Sequence, residues 1–418
     1  MDKILINGGN RLSGTIEISG AKNAALPVLF SSILTGKVNT ISNVPGLADI
    51  KTTVKLLEHI GCRVNWNGNT MVIDSSTINS HEASYDLVRT MRASCLMMGP
   101  LLSRFGEAKV SLPGGCAIGA RPINLHLKAF EEMGAEITIE HGYVHAKAKK
   151  LCGAKIYFDT VTVTGTENVM MAAVMAEGET ILENAAMEPE IVNLANALNS
   201  AGAKIEGAGD SIIKISGVKE LKDIKEAIIP DRVETGTYLV AGAITNGELT
   251  ITKCNPHDLE IVLSKLKEMG AEIKIGANEI SIKAATHLKS VKITTTPHPG
   301  FPTDMQAQFM VPASLAKGTS VFNETVFENR FMHVAELIRM GAEISIDGHT
   351  AIVTGERPFS GASVMATDLR ASASLVLAGL VADGTTEINR IYHLDRGYEK
   401  MEEKLKNVGA DIKRVKAS

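Results

Sequence analysis

Ile261-Val262-Leu263-Ser264-Lys265-Leu266-Lys267-Glu268-Met269-Gly270-Ala271-Glu272-Ile273-Lys274-Ile275 reads as a helix that stops on a glycine and turns into a strand. Ile261, Leu263 and Leu266 lead to Met269 at helix-like intervals, and Glu272 to Ile275 alternates as a half-buried strand does. Gly270 then serves as the C-terminal cap, where only glycine turns left-handed without steric cost. The same phrase returns at Gly61, Gly134, Gly202, Gly341 and Gly409, and the six glycines are 73, 68, 68, 71 and 68 residues apart. A second series, Gly36, Gly106, Gly178, Gly247, Gly318 and Gly384, keeps nearly the same period. Each of these closes an Ala/Leu/Met-rich, weakly charged segment and opens a β-like run. Two series with one period define six copies of a unit of ~70 residues, each with an uncharged helix, a strand, an amphipathic helix and more strand. A helix apolar on every side belongs in a core.

Six units in 418 residues form either one ring or two groups of three. At ~150 residues per domain two or three domains are expected, which favours two groups. Ile228-Ile229-Pro230-Asp231-Arg232 is the plausible crossover.

Composition narrows the function. Forty-three Lys+Arg against 47 Asp+Glu leave a net charge of −4, which argues against sequence-independent nucleic-acid binding. With 44% hydrophobic and 22% charged residues the chain is globular rather than disordered. Runs such as Ala373 to Ala382 fall short of the ~18 apolar residues of a membrane span. Met1-Asp2-Lys3 leads straight into Ile4-Leu5-Ile6, without the apolar region of a signal peptide. The five cysteines, 62, 95, 116, 152 and 254, contain no Cys-x-x-Cys pair, and the 11 histidines no His-Glu-x-x-His. A reducing cytoplasm, no metal and no redox cofactor are expected.

Counting back 14 residues from each glycine of the second series gives Lys22, Arg92, Thr164, Val233, Asp304 and Arg370. Charge at the entry of a buried helix is unusual. Helix N-termini present unsatisfied N–H groups and a positive dipole, and Lys22, Arg92 and Arg370 there would make a site for phosphate or carboxylate. The bland alternative is helix capping and mutual pairing, for which Asp304 after Thr303 is a credible candidate. As the lone carboxylate among cations, Asp304 would stay ionised, the state a general base needs.

Cys116 stands in Ser111-Leu112-Pro113-Gly114-Gly115-Cys116-Ala117-Ile118-Gly119-Ala120-Arg121-Pro122. Three glycines and two prolines describe an exposed loop, and Arg121 favours a thiolate. The other four cysteines are expected as buried small hydrophobes. Arg330, in Phe327-Glu328-Asn329-Arg330-Phe331, and Arg396, in Leu394-Asp395-Arg396-Gly397-Tyr398, open equivalent turns of the fifth and sixth units. Each is either a surface arginine beside a carboxylate or, with Arg370, part of one cluster.

These residues carry a resemblance. Ala21 to Leu26, Thr90 to Ser94, Pro113 to Pro122, Pro230 to Thr235, Pro299 to Gln308, Glu328 to His333, Asp368 to Ala371 and Asp395 to Gly397 resemble the UDP-N-acetylglucosamine 1-carboxyvinyltransferase family. These enolpyruvyl transferases of the EPSP synthase superfamily open bacterial peptidoglycan synthesis. The likeness runs through the whole chain in order. It implies an α/β fold, an inside-out α/β barrel of two similar domains with three βαβαββ units each. Residues 22–229 would carry the Cys116 loop, residues 1–21 with 230–418 would carry Asp304 and the arginines, and the active site would lie in the cleft between them. Phosphoenolpyruvate and UDP-N-acetylglucosamine would be the substrates, with no nucleic acid or membrane as partner.

Position by position, the resemblance implies that Lys22 and Asn23 bind phosphoenolpyruvate. Lys22, Arg121 and Arg396 would hold its phosphate, and Arg330 and Arg370 its carboxylate side. Arg92 would contact the nucleotide sugar, Arg121, Pro122, Ile123, Asn124 and Leu125 the uridine, and Asp304 and Val326 the sugar ring. Cys116 would donate the proton, form an adduct with phosphoenolpyruvate and react with fosfomycin-type inhibitors. Asp304 would take the proton of the 3′-hydroxyl. Asn124 replaces the common Asp, and Thr160 and Thr164 replace Lys and Gly, which bears on uridine binding alone. The sister 5-enolpyruvylshikimate-3-phosphate synthase does not use such a cysteine. A non-catalytic nucleotide-sugar binder and a bare six-repeat structural protein are the readings of other classes.

Overall fold

The computed structural model describes residues 2–88, 91–112, 123–327 and 329–416. Six buried helices occur at the repeat interval: Lys22–Thr35, Arg92–Met97 continued by Met98–Phe105, Val163–Ala173, Arg232–Ile244, Thr303–Met305 continued by Gln306–Leu315, and Leu369–Val381. All six positions counted back from the glycines fall in the first turn of one of them. In Lys22–Thr35 every residue but Asn23 is buried, as an all-round apolar sequence requires.

Six amphipathic helices alternate with these: Ala48–His59, Asn124–Glu132, Pro189–Ser200, Glu260–Glu268, Val334–Arg339 and Met401–Asn407. Each is followed within two residues by a first-series glycine with φ between 91° and 107°. The second series repeats the device at five of its six members. At the remaining one the left-handed residue is Asn246, one position earlier, since Asn tolerates that region best after glycine. Gly247 is kept there by crowding, because a Cβ would lie 2.6 Å from the Leu12 carbonyl oxygen.

Each unit of the repeat builds one four-stranded sheet, and all six have the same order. In one, Lys292–Thr294 runs parallel to Thr319–Asn323, which is antiparallel to Thr350–Thr354, itself antiparallel to Glu343–Asp347. The parallel step is the crossover made by a buried helix, and the hairpin closes the unit. Phe322, Ala351 and Val353 face inward, while Thr319 and Asp347 on the other face are solvated.

The described chain divides into two compact units, residues 20–112 with 123–229, and residues 2–19 with 230–416. Each has its own core formed around three of the buried helices. At each passage from one unit to the other, the strand ahead of the crossing stays with the unit it leaves. Ser13–Glu17 precedes the helix Lys22–Thr35 but pairs with Glu248–Thr252. Lys225–Ala227 precedes the helix Arg232–Ile244 but pairs with Val38–Ser42. Asp2–Asn7 lies between Thr385–Asn389 and Asp411–Lys416, so the first strand completes the last sheet. Among the described residues no helix is long and apolar enough to cross a membrane.

Candidate active site

In the unit that holds residues 230–416, the second residue of the helix Thr303–Met305 is Asp304. The cap position of that helix is Pro302, so Asp304 stands inside the first turn rather than at the cap. Instead Arg330 Nη2 donates to Oδ1 at 2.7 Å and Arg370 Nε to Oδ2 at 3.0 Å. The two guanidiniums are 5% and 1% exposed. Neither is a surface arginine, and a carboxylate with a cation on each oxygen is held in its charged form. Burial alone would lower the Arg370 pKa, but the charges of Asp304, Tyr398 and Asp231 outweigh it and the net shift is upward. Arg370 Nη1 is buried without a hydrogen-bond partner.

The placement of Arg370 follows from its helix. Asp368 caps Leu369–Val381 by accepting from the Arg370 and Ala371 amides, which fixes the first turn. Tyr398 lies under the guanidinium, 5.4 Å from carbon to ring centre, and its hydroxyl is held by Thr237 at 2.8 Å and by Gln308 Nε2 at 3.1 Å. Gly397 leaves the room this requires, because a Cβ would come within 2.4 Å of Leu369 Cδ1. Arg396, half-buried, ends the short helix Ile391–Arg396 directly before it. Its neighbour Asp395 is taken by Arg414, whose Nη1 donates to Oδ2 at 3.0 Å.

The other unit gathers charge at its own helix starts. Lys22 is buried, with Nζ 3.6 Å from Asp49, and Asn23 beside it is half-buried. Arg92, also half-buried, acts on His126, whose pKa is pushed down to about 3 by burial and then by that charge. His126 Nδ1 meets Asn168 Nδ2 at 3.0 Å, and Nε2 meets Thr164 Oγ1 at 3.4 Å. Glu167 is fully buried, and burial first, then Glu190 and Glu188, raise its pKa well above the ordinary value.

His126 gives a pH signature. Its folded-state pKa of about 3 lies below the unfolded value near 6.5. The unfolded chain binds more protons in that window, so this contribution to stability is present above pH 6.5 and is lost as pH falls toward 3. The difference in urea midpoint between wild type and His126→Gln should be flat above pH 7 and move in the variant's favour below 6. A difference independent of pH would remove the histidine as its source.

Residues 6–405 match the profile of the family described as EPSP synthase (3-phosphoshikimate 1-carboxyvinyltransferase). The chain belongs to the EPSP synthase family. Among its relatives, the UDP-N-acetylglucosamine 1-carboxyvinyltransferase of Geobacter metallireducens is 59% identical over 416 residues, all of both chains. That of Desulfosudis oleivorans is 58% identical over 415, covering 99% of this chain and 100% of its own. Of solved structures, the enolpyruvyl transferase NikO from Streptomyces tendae superposes with a TM-score of 0.90 at 26% identity, covering 100% of this chain and 99% of its own. EPSP synthase from Acinetobacter baumannii gives 0.77 at 18% over the whole of both chains and shares the fold.

For this member of the EPSP synthase family, Cys116, Arg121 and Pro122 lie outside the described residues. Ile123 is buried at the start of the helix Asn124–Glu132, whose first residue Asn124 is exposed and whose second, Leu125, is half-buried. Thr160 is exposed ahead of the helix Val163–Ala173, which Thr162 caps through the Gly165 amide. Val326 is 37% exposed, near the Asp304 cluster in the chain rather than within it. A cavity of about 440 Å³ takes in Arg232, His257, His298, Pro302 and Met305 on the same unit as Asp304, but not Asp304 itself.

One expectation is corrected. Cys62, Cys95 and Cys254 are buried, their thiols pushed up by burial to about 12, 12 and 11, but Cys152 is exposed. Leu151 takes the inward place there, and the alternation of an extended segment turns the next side chain outward.

Sequence reasoning missed Asp49, His126, Glu167 and Asn168. The last two left a usable signal, a Glu-Asn pair inside the apolar helix Val163–Ala173. Among the described residues no group of three or more His, Cys, Asp or Glu could hold a metal ion.

Proposed function

We infer that the chain transfers the enolpyruvyl group of phosphoenolpyruvate to the 3′-hydroxyl of UDP-N-acetylglucosamine with release of phosphate, the first committed step of peptidoglycan precursor synthesis, in the cytoplasm. End-to-end identity with relatives of that name supports the acceptor. The observation that carries the chemistry is the Asp304 carboxylate between two buried guanidiniums, one with an N–H still unclaimed. A base and anion receptors in one cluster suit a hydroxyl that attacks an anionic donor.

In this reading Cys116 gives a proton to the methylene carbon of phosphoenolpyruvate, leaving C2 with oxocarbenium character. The 3′-oxygen attacks C2 while Asp304 takes its proton. The C2–O bond to phosphate then breaks, a methyl proton returns to the thiolate, and the enol ether is left. Lys22, Arg121 and Arg396 hold the phosphate, Arg330 and Arg370 the carboxylate side, and Asn23 assists. Arg92, Asp304 and Val326 face the sugar, and Arg121 to Leu125 the uridine. The charge on both substrates is met throughout by fixed cations and helix ends. Fosfomycin-type compounds would alkylate Cys116.

The test is phosphate release from phosphoenolpyruvate with each acceptor separately. Release that requires UDP-N-acetylglucosamine is expected, and release only with shikimate 3-phosphate would overturn the assignment. Cys116→Ser should abolish the covalent phosphoenolpyruvate adduct seen by intact-mass spectrometry. An adduct of the same mass on the variant would take the role from Cys116.

A further inference from the structure

The roles assigned so far leave Glu324 unused. It follows the strand Thr319–Asn323 and is 1% exposed. Its Oε1 accepts from Thr295 Oγ1 at 2.8 Å, the Val326 amide at 2.9 Å and the Phe327 amide at 3.1 Å. Oε2 accepts from Thr303 Oγ1 at 2.9 Å. All four partners are neutral donors. A carboxylate is expensive to bury on such terms, and an apolar side chain could fill the space.

What it supplies is direction. An ionised carboxylate only accepts, so the Thr303 proton must face Glu324. A lone pair of Thr303 is thereby turned toward Arg330, whose Nη1 donates to it at 3.1 Å while Nη2 donates to Asp304. We propose that Glu324 is a positioning residue for the reaction: it orients the Thr303 hydroxyl, and through it seats Arg330 on Asp304, while the same carboxylate anchors the turn that carries Val326. The proposal rests on the reading of Asp304 as the base.

Among the described residues, the charged and titratable groups around Asp304 include Arg330 and Arg370 in contact, Tyr398 and Asp231 acting on Arg370, and His333, which feels both Arg330 and Asp368. Glu324→Gln and Thr303→Val each loosen the Arg330 bond without removing any of them. Thr303→Ser keeps the hydroxyl and serves as the rescue.

The experiment compares these three variants with wild type in two ways. In phosphate-release kinetics, Glu324→Gln and Thr303→Val should lose roughly 10- to 100-fold in kcat, the scale of a misplaced catalytic group. The acid limb of their kcat profiles should move to higher pH, as expected when a carboxylate loses a cation. Thr303→Ser should stay near wild type in both. The Asp304 carboxyl is also titrated directly by carbon-13 NMR of aspartate-labelled protein, assigned with Asp304→Asn, and should shift the same way without turnover. If wild type releases phosphate with neither acceptor, the functional reading fails and the NMR titration still decides the positioning. An unmoved titration, or a kcat loss shared equally by Thr303→Ser, overturns it.

Discussion

Asp304→Asn is expected to lower kcat by roughly 10²- to 10⁴-fold, the usual contribution of a positioned general base, while phosphoenolpyruvate still binds. The amide cannot take the 3′-proton, yet it nearly keeps the shape of the side chain. It also leaves Arg330 and Arg370, both almost wholly buried, without their shared counter-charge. Removing one partner of a buried pair costs about 3–5 kcal/mol. An anion that occupies the guanidiniums should recover part of this, so phosphoenolpyruvate should raise the melting temperature of the variant more than that of wild type. Kinetics and thermal melts with and without phosphoenolpyruvate check both halves. Near-normal turnover would remove Asp304 as the base.

Arg370→Met should be the most damaging change to stability in the site. It leaves Asp304 with one cation, removes the charge that lies over Tyr398 and puts a thioether beside Asp304 Oδ2. A loss on the order of 3–5 kcal/mol is expected from breaking a buried pair, read as a lower urea midpoint, together with loss of phosphate release. Arg370→Lys restores charge but not the sideways reach of Nε, and should recover more stability than activity. A midpoint unchanged in Arg370→Met would mean that the ion pair contributes nothing to the fold.

The repeat was legible because it rests on local rules. A glycine turns left-handed at the same place in each unit, and the helix before it is apolar all round or on one face. The positions of Lys22, Arg92, Asp304 and Arg370 at helix starts followed from counting alone. What counting does not give is which polar groups meet. Asp304 reads as a cap beside Thr303, and only the folded chain shows that its oxygens go to arginines 26 and 66 residues away. Asp395 next to Arg396 suggests a pair, but Arg414 claims it from a neighbouring strand. Glu324 carries no pattern at all, since its importance lies in hydroxyls brought in from residues 295 and 303. Lys225–Ala227 is three residues long, too short for any period to reveal its partner strand.

The long-range strand pairings set an order on synthesis. Residues 20–229 hold every strand their three sheets need once Lys225–Ala227 has been made. Asp2–Asn7 and Ser13–Glu17 are made before residues 20–229 but pair only with strands made after them. Ser13–Glu17 has no partner until Glu248–Thr252 emerges, and Asp2–Asn7 waits for Thr385–Asn389 and Asp411–Lys416. A truncated product that ends between residues 229 and 385 therefore carries a completed first unit and an unpaired leading strand. That strand is the sticky edge a nascent chain must keep covered, and a segment made before the first unit depends on strands made long after it.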